Sequence, residues 1–156
     1  MKISQYVTRI SKLLTVLSLL FVTACSSSLV IQNVNYAQPV ESVLQPDANG
    51  MVKDMRYAIS FNVTPLLQSE STKGSATMSV QEVHVIRGVE GYYYVTAPGF
   101  KDVYIMAPGD GTLKTKKKVL VDKNGLKDPA FNQRNPVIQL VDGSNTYSLT
   151  QKGLQK

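Results

Sequence analysis

Met55-Arg56-Tyr57-Ala58-Ile59-Ser60-Phe61-Asn62-Val63 alternates apolar and polar residues without a break. In extended backbone, Met55, Tyr57, Ile59, Phe61 and Val63 point one way, and Arg56, Ala58, Ser60 and Asn62 the other. A period of two with one apolar face predicts a half-buried β-strand. Pro65 then ends the strand or marks a sheet edge, because proline cannot donate to a ladder. Working outward, Gln45–Gly50 holds Pro46, Asp47, Asn49 and Gly50 and reads as a loop. Gln68–Ser75 is polar around Gly74 and reads as a second loop. Ala76–Ile86 reads as the next strand. Its phase slips near Gln81-Glu82, with Ala76, Met78 and Val80 on one face and Val83 and Val85 on the other, so a bulge is expected there.

Farther along, Tyr94-Val95-Thr96-Ala97-Pro98-Gly99 is echoed by Tyr104-Ile105-Met106-Ala107-Pro108-Gly109. Each copy reads as a strand closed by Pro-Gly, which suits the central positions of a type II turn. The spacing is too short for a solenoid repeat, so the copies read as successive strands of a meander. Thr112–Val121 is a further strand, ending at the tight-turn signal Asp122-Lys123-Asn124-Gly125. Lys127–Asn135, with Pro129 near its start and Pro136 just after, reads as irregular. Val137–Val141 and Thr146–Thr150 flank Asp142-Gly143-Ser144-Asn145 as a terminal hairpin. No window carries a long apolar stripe at helical spacing. The expected fold is all-β: an antiparallel β-sandwich of about seven to nine strands. A barrel is less favoured, because nothing shows the even strand lengths that closure needs.

The chain has 156 residues, 17 of them basic and 11 acidic, for a formal net charge of +6. Residues 1–12 hold Lys2, Arg9 and Lys12 and no acid. Leu13–Val22 follows as an apolar run whose helix would rise only about 15 Å, roughly half of a bilayer's hydrocarbon core. Charged start, short apolar middle and small residues before a cut make an export signal. It ends in Val22-Thr23-Ala24-Cys25, which resembles the lipobox of bacterial lipoproteins, with Val at the leading position where Leu is commoner. The resemblance implies cleavage between Ala24 and Cys25, a diacylglycerol on the Cys25 thiol and a third acyl chain on the new amine. It also implies that Ser26, where Asp tends to retain lipoproteins in the inner membrane, sends the protein to the outer membrane; the expected location is lipid-anchored there, on the periplasmic face. The expected plan is a signal peptide at 1–24, a short lipidated tether at 25–28 and one domain at 29–156. Leu29-Val30-Ile31 already reads as strand, which would hold the domain close to the lipid surface.

Cys25 is the only cysteine, so the mature domain keeps no thiol for a disulfide, a nucleophile or a metal. Loss of the three basic signal residues lowers the formal charge from +6 to +3, too mild to argue for nucleic acid. A second segment, Tyr93-Tyr94-Val95-Thr96-Ala97-Pro98-Gly99-Phe100-Lys101-Asp102-Val103, is similar to one carried by transthyretin-like sandwiches. The type VI secretion outer-membrane lipoprotein has such a sandwich on a short anchor. Leu44–Gly50 is similar to its early Asn-Pro-Asp-Gly-type loop, with Gln45 in place of Asn. The later tryptophan-containing strand of that family has no counterpart. This likeness implies an anchored sandwich and transfers no functional residue.

Little in the sequence points to catalysis. His84 is the sole histidine and sits in a strand among Val83, Val85 and Ile86, where a structural role is the commoner one. One histidine and no free cysteine leave too few ligands for zinc. Asp110, Asp122 and Asp142 stand beside glycine-rich turns without the spaced acidic loop that calcium sites use. No catalytic residue, metal or cofactor is therefore expected. The most unusual surface feature is Lys114-Thr115-Lys116-Lys117-Lys118. On a regular strand Lys114, Lys116 and Lys118 share one face, where they could meet an anionic envelope polymer or an acidic partner, or simply guard a sheet edge against strand pairing. Tyr92-Tyr93-Tyr94 alternate across a strand, so Tyr92 and Tyr94 share a face and at least one ring should be exposed for binding. The expected role is non-enzymatic: an accessory or assembly component of an envelope machine such as a secretion or pilus-like system, with protein partners and a membrane anchor. The alternative is a binding module for an envelope polymer or small ligand.

Overall fold

A computed structural model describes residues 40–71, 78–110 and 112–155. The expected signal with its cleavage site at Ala24 and Cys25, the expected tether, the strand expected at Leu29–Ile31 and the first residues of the strand expected from Ala76 lie outside the described residues. Among those described, no helix is long and apolar enough to cross a membrane.

The elements are β1 (Ser42–Leu44), β2 (Met51–Asp54), β3 (Ile59–Asn62), α1 (Thr64–Glu70), β4 (Val83–Arg87), β5 (Tyr93–Thr96), β6 (Asp102–Gly109), β7 (Thr112–Leu120), β8 (Pro129–Arg134), β9 (Val137–Asp142), β10 (Asn145–Thr150) and β11 (Gly153–Leu154). They form a five-stranded sheet ordered β1-β4-β5-β6-β7, a four-stranded sheet ordered β11-β10-β9-β8 and the two-stranded β2-β3. All pairings are antiparallel.

The five-stranded sheet is covered on both faces at its central strands β4, β5 and β6, while its edge strand β7 is mostly exposed. Ile86, Tyr94, Val103, Ile105 and Val119 pack from one face against Phe131, Ile138, Leu140 and Leu149 of the four-stranded sheet. This is the expected antiparallel sandwich, with eleven strands among the described residues rather than seven to nine. Val83, Val85, Tyr93, Val95, Tyr104 and Met106 pack from the other face under Val52, Val63, Leu66 and Leu67. The β2-β3 hairpin and α1 thus make a third layer. Every residue of β5 is buried in consequence, the pattern of a strand covered on both sides.

Several expectations are corrected. Of Met55–Val63, only Ile59–Asn62 is strand. Met55–Ala58 is the turn of the β2-β3 hairpin, and Met55 is 77% exposed. The reason is Asp54, whose Oδ1 accepts the amides of Arg56 at 2.8 Å and Tyr57 at 3.3 Å and bends the chain back. Pro65 opens α1 rather than guarding a strand, since the first turn of a helix does not need its missing N–H. Among the described residues of the strand expected over Ala76–Ile86, Met78–Glu82 is not strand and β4 begins at Val83, although Met78 and Val80 still pack on the core.

The stretch expected to be irregular, Lys127–Asn135, contains β8. Pro129 is tolerated there because it occupies the first position of an edge strand. The two Pro-Gly echoes part company. Ala97–Phe100 closes a turn through Phe100 N–H to Ala97 C=O at 3.1 Å, with Gly99 at φ 85°. Pro108 and Gly109 instead continue β6, paired with Leu113 and Thr112. The Asp122–Gly125 turn does form, but it carries the chain to the other sheet, with Leu126 exchanging bonds with Gly99 and Phe100. The terminal hairpin forms with Asp142 opposite Asn145.

Candidate functional site

β7 is an edge strand, and its register decides where the lysines go. Ile105 faces Lys117 whereas Met106 faces Thr115, so Lys116 is the extra residue of a β-bulge. The expected sharing of one face by Lys114, Lys116 and Lys118 is therefore overturned. Lys117 continues the face of Val119, toward the four-stranded sheet, and its Nζ donates to the Lys152 carbonyl. Lys116 turns to the same side. Its Nζ donates to the Tyr92 hydroxyl at 2.7 Å and to Gln151 Oε1 at 3.4 Å, and lies 4.1 Å from the Tyr92 ring centre. Lys114, opposite Ala107, is exposed.

Lys118 points through the other face into a buried acidic cluster. Its Nζ is 3.2 Å from Asp102 Oδ2 and 3.6 Å from Glu70 Oε1, and donates to the Ser69 carbonyl at 3.0 Å and hydroxyl at 2.9 Å. Glu70 also accepts the Lys101 amide at 2.7 Å and the Tyr104 hydroxyl at 2.6 Å. Burial, and then the bond to Glu70, push the Tyr104 phenol up to about 12. Burial works against the Lys118 ammonium, but Asp102 and Tyr104 outweigh it and raise its pKa. This cluster pins α1 to β6 and β7. The sequence carried no signal for it, because the seven-residue α1 that positions Glu70 is too short to show a helical period.

Of the tyrosines, Tyr92 is half-buried beside Lys116, while Tyr93 and Tyr94 are both buried. Tyr94 is thereby removed as a surface binding residue. Its hydroxyl finds no hydrogen-bond partner among the described residues, and burial, with the charge of Glu90, raises its pKa. Tyr93 packs edge-on against Tyr57 with ring centres 5.7 Å apart.

His84 is buried. Its Nδ1 is 2.9 Å from Glu41 Oε1 and its Nε2 is 3.3 Å from Glu82 Oε1. The same Glu41 oxygen accepts the Phe131 amide at 2.7 Å, so the trio ties β4 to β8 of the facing sheet. The aspartates beside turns also have structural duties. Asp122 Oδ1 accepts the Asn124 amide at 2.8 Å, and Asp142 Oδ1 accepts those of Lys127 at 2.9 Å and Asp128 at 2.6 Å. Among the described residues, no group of three or more histidines, cysteines and acids is placed to hold a metal.

Two open clefts lie at one pole. One of about 480 Å³ is lined by Glu90, Thr150, Gln151, Lys152, Leu154 and Gln155, and shares Gln151 with the Lys116–Tyr92 pair. The other, about 240 Å³, runs over Tyr93 between Ala58–Ser60 and the β6-β7 hairpin. No family model, curated protein or solved structure matches this chain.

Proposed function

We propose that this protein is an outer-membrane lipoprotein on the periplasmic face, acting as a non-enzymatic accessory or assembly component of an envelope machine of the secretion or pilus-like kind. The observation that carries the reading is Val22-Thr23-Ala24-Cys25, a lipobox built on the chain's single cysteine. Each buried methylene contributes about 0.8 kcal/mol, so two or three acyl chains give a lasting anchor. The domain supports the reading by how it uses its buried ionisable groups: Glu70 bonds α1 to β6 and β7, Asp102 pairs with Lys118 of the neighbouring strand, His84 joins Glu41, which accepts the Phe131 amide of the facing sheet, and Asp142 accepts crossover amides. The test is a crosslinking pull-down from intact envelopes with the lipidated protein as bait. A stoichiometric protein partner, lost with Cys25→Ser, is expected. Recovery of only lipid or polymer would refute the assembly role.

A further inference from the structure

The register places Val40. Ser42 lies opposite Val85, which sets Val40 level with Arg87 at the end of β4. Arg56 Nη1 donates to the carbonyls of Val40 and Glu41 at 2.9 Å each, and the Tyr57 hydroxyl donates to Val40 at 2.7 Å. The Met55–Ala58 turn, the β4-β5 turn and the β6-β7 connection therefore share one pole with Val40. The four-stranded sheet adds its β10-β11 turn there, through the contacts of Lys116 with Gln151 and of Lys117 with Lys152.

This pole is basic. Arg56, Arg87, Lys114, Lys116, Lys117 and Lys152 are all exposed on it, against the exposed acids Glu90 and Asp110. The opposite pole is mixed, with Asp47, Asp128, Lys123 and Lys127 exposed. The basic pole also carries apolar tips: Met55 is 77% exposed, Val89 60%, Val40 58% and Leu154 42%. Of the large exposed hydrophobics among the described residues, only Val43 and Leu120 lie elsewhere. Lysines and arginines set around protruding apolar side chains fit a lipid interface, where the cations meet phosphates and the apolar tips enter the headgroup boundary. An anionic polymer would satisfy the charges and leave the apolar tips in water.

We infer that this pole is a membrane-docking surface, lying on the anionic phospholipid leaflet that holds the anchor. The inference rests on the reading of Cys25 as lipidated. It adds an orientation: the β4-β5 and β10-β11 turns meet the lipid, and the β9-β10 turn, with Gly143 and Ser144, faces away from it.

The test uses the full lipidated product purified from membranes and placed in vesicles of phosphatidylethanolamine and phosphatidylglycerol. With Cys25 acylated, a single new cysteine can carry an environment-sensitive dye, at Val89→Cys on the docking pole or Ser144→Cys on the far pole. Brominated lipid should quench the dye at position 89 several-fold more than at position 144. Joint replacement of Lys114, Lys116 and Lys117 by Glu should bring position 89 down to the level of 144. So should high salt on the otherwise unaltered chain, because screening shortens from about 10 Å at 0.1 M to about 3 Å at 1 M. Equal quenching at the two positions, or a difference that neither salt nor charge reversal reduces, would overturn the inference. So would shielding of position 89 that appears only when peptidoglycan is added. The anchor is scored separately by treating the denatured parent chain with maleimide. A reactive Cys25 thiol refutes lipidation, whereas an unreactive Cys25 with equal quenching refutes docking alone.

Discussion

Glu70 is the acid on which the packing of α1 depends, and its removal has a magnitude that follows from its contacts. Its side chain is 1% exposed, 3.6 Å from Lys118 Nζ, and accepts the Lys101 amide at 2.7 Å and the Tyr104 hydroxyl at 2.6 Å. Glu70→Ala leaves the Lys101 amide without its acceptor and the Tyr104 hydroxyl with only the long 3.5 Å contact to the Leu66 carbonyl. A hydrogen bond to a charged group is worth about 1.5–3 kcal/mol, and breaking a buried ion pair costs about 3–5 kcal/mol. These contributions share one carboxylate and do not add. Asp102, 3.2 Å from Lys118, also survives the change. The expected loss is therefore about 3–4 kcal/mol. Glu70→Gln keeps the volume and one carbonyl acceptor and should lose only about 1–2 kcal/mol. Urea unfolding of the mature chain carrying Cys25→Ser, followed by far-ultraviolet circular dichroism, measures both as midpoint shifts at unchanged slope. In Glu70→Ala, the Tyr104 phenol should also titrate below its value of about 12, read from the phenolate absorbance. A loss under about 1 kcal/mol, or strict additivity with Tyr104→Phe, would refute the reasoning.

Three further outcomes are expected. Burial disfavours the charged form of His84, but Glu41 and then Glu82 outweigh it, so its pKa is raised above 6.5. Its stabilisation should be complete below about pH 6.5 and fade as pH rises through the folded value, and His84→Gln should remove that slope; parallel stability–pH curves would contradict this. Ala58 has φ 52°, a left-handed conformation that costs a residue with a Cβ, so Ala58→Gly should raise the unfolding free energy by up to about 1 kcal/mol in urea melts. Tyr94→Phe deletes a buried hydroxyl that has no partner among the described residues and should be neutral or stabilising by up to about 1 kcal/mol, and a clear drop in melting temperature would show a bond unaccounted for.

The fold class was legible because alternation and turn chemistry are local. The Ala97–Phe100 turn, the Asp122–Gly125 turn and the β9-β10 hairpin all stand where Pro, Gly, Asn and Asp put them. The helix was hidden because Thr64–Glu70 is too short to show a 3.6-residue period, and its Pro65 serves equally well to stop a strand or start a helix. β8 was hidden because Pro129 and polar Asn132, Gln133 and Arg134 look like a loop until β9 pairs with them. The candidate site was less legible. Its lysines and tyrosines were named, but their directions depended on a bulge at Lys116 that only the partner strand imposes.

What the sequence determines alone is whatever local chemistry decides: an all-β domain, and turns at particular Gly and Pro residues. Tertiary structure decides which faces those strands bury. A third layer of β2-β3 and α1 covers the far side of the five-stranded sheet, so Tyr93 and Tyr94 are both internal although they point opposite ways. The identical Ala-Pro-Gly triplets diverge for a similar reason. Ala97 ends β5 in a turn, while Ala107 still has Lys114 of β7 opposite it and stays extended. Period-two alternation reports that a strand has two faces, and only the elements packed above and below settle which of them meets water.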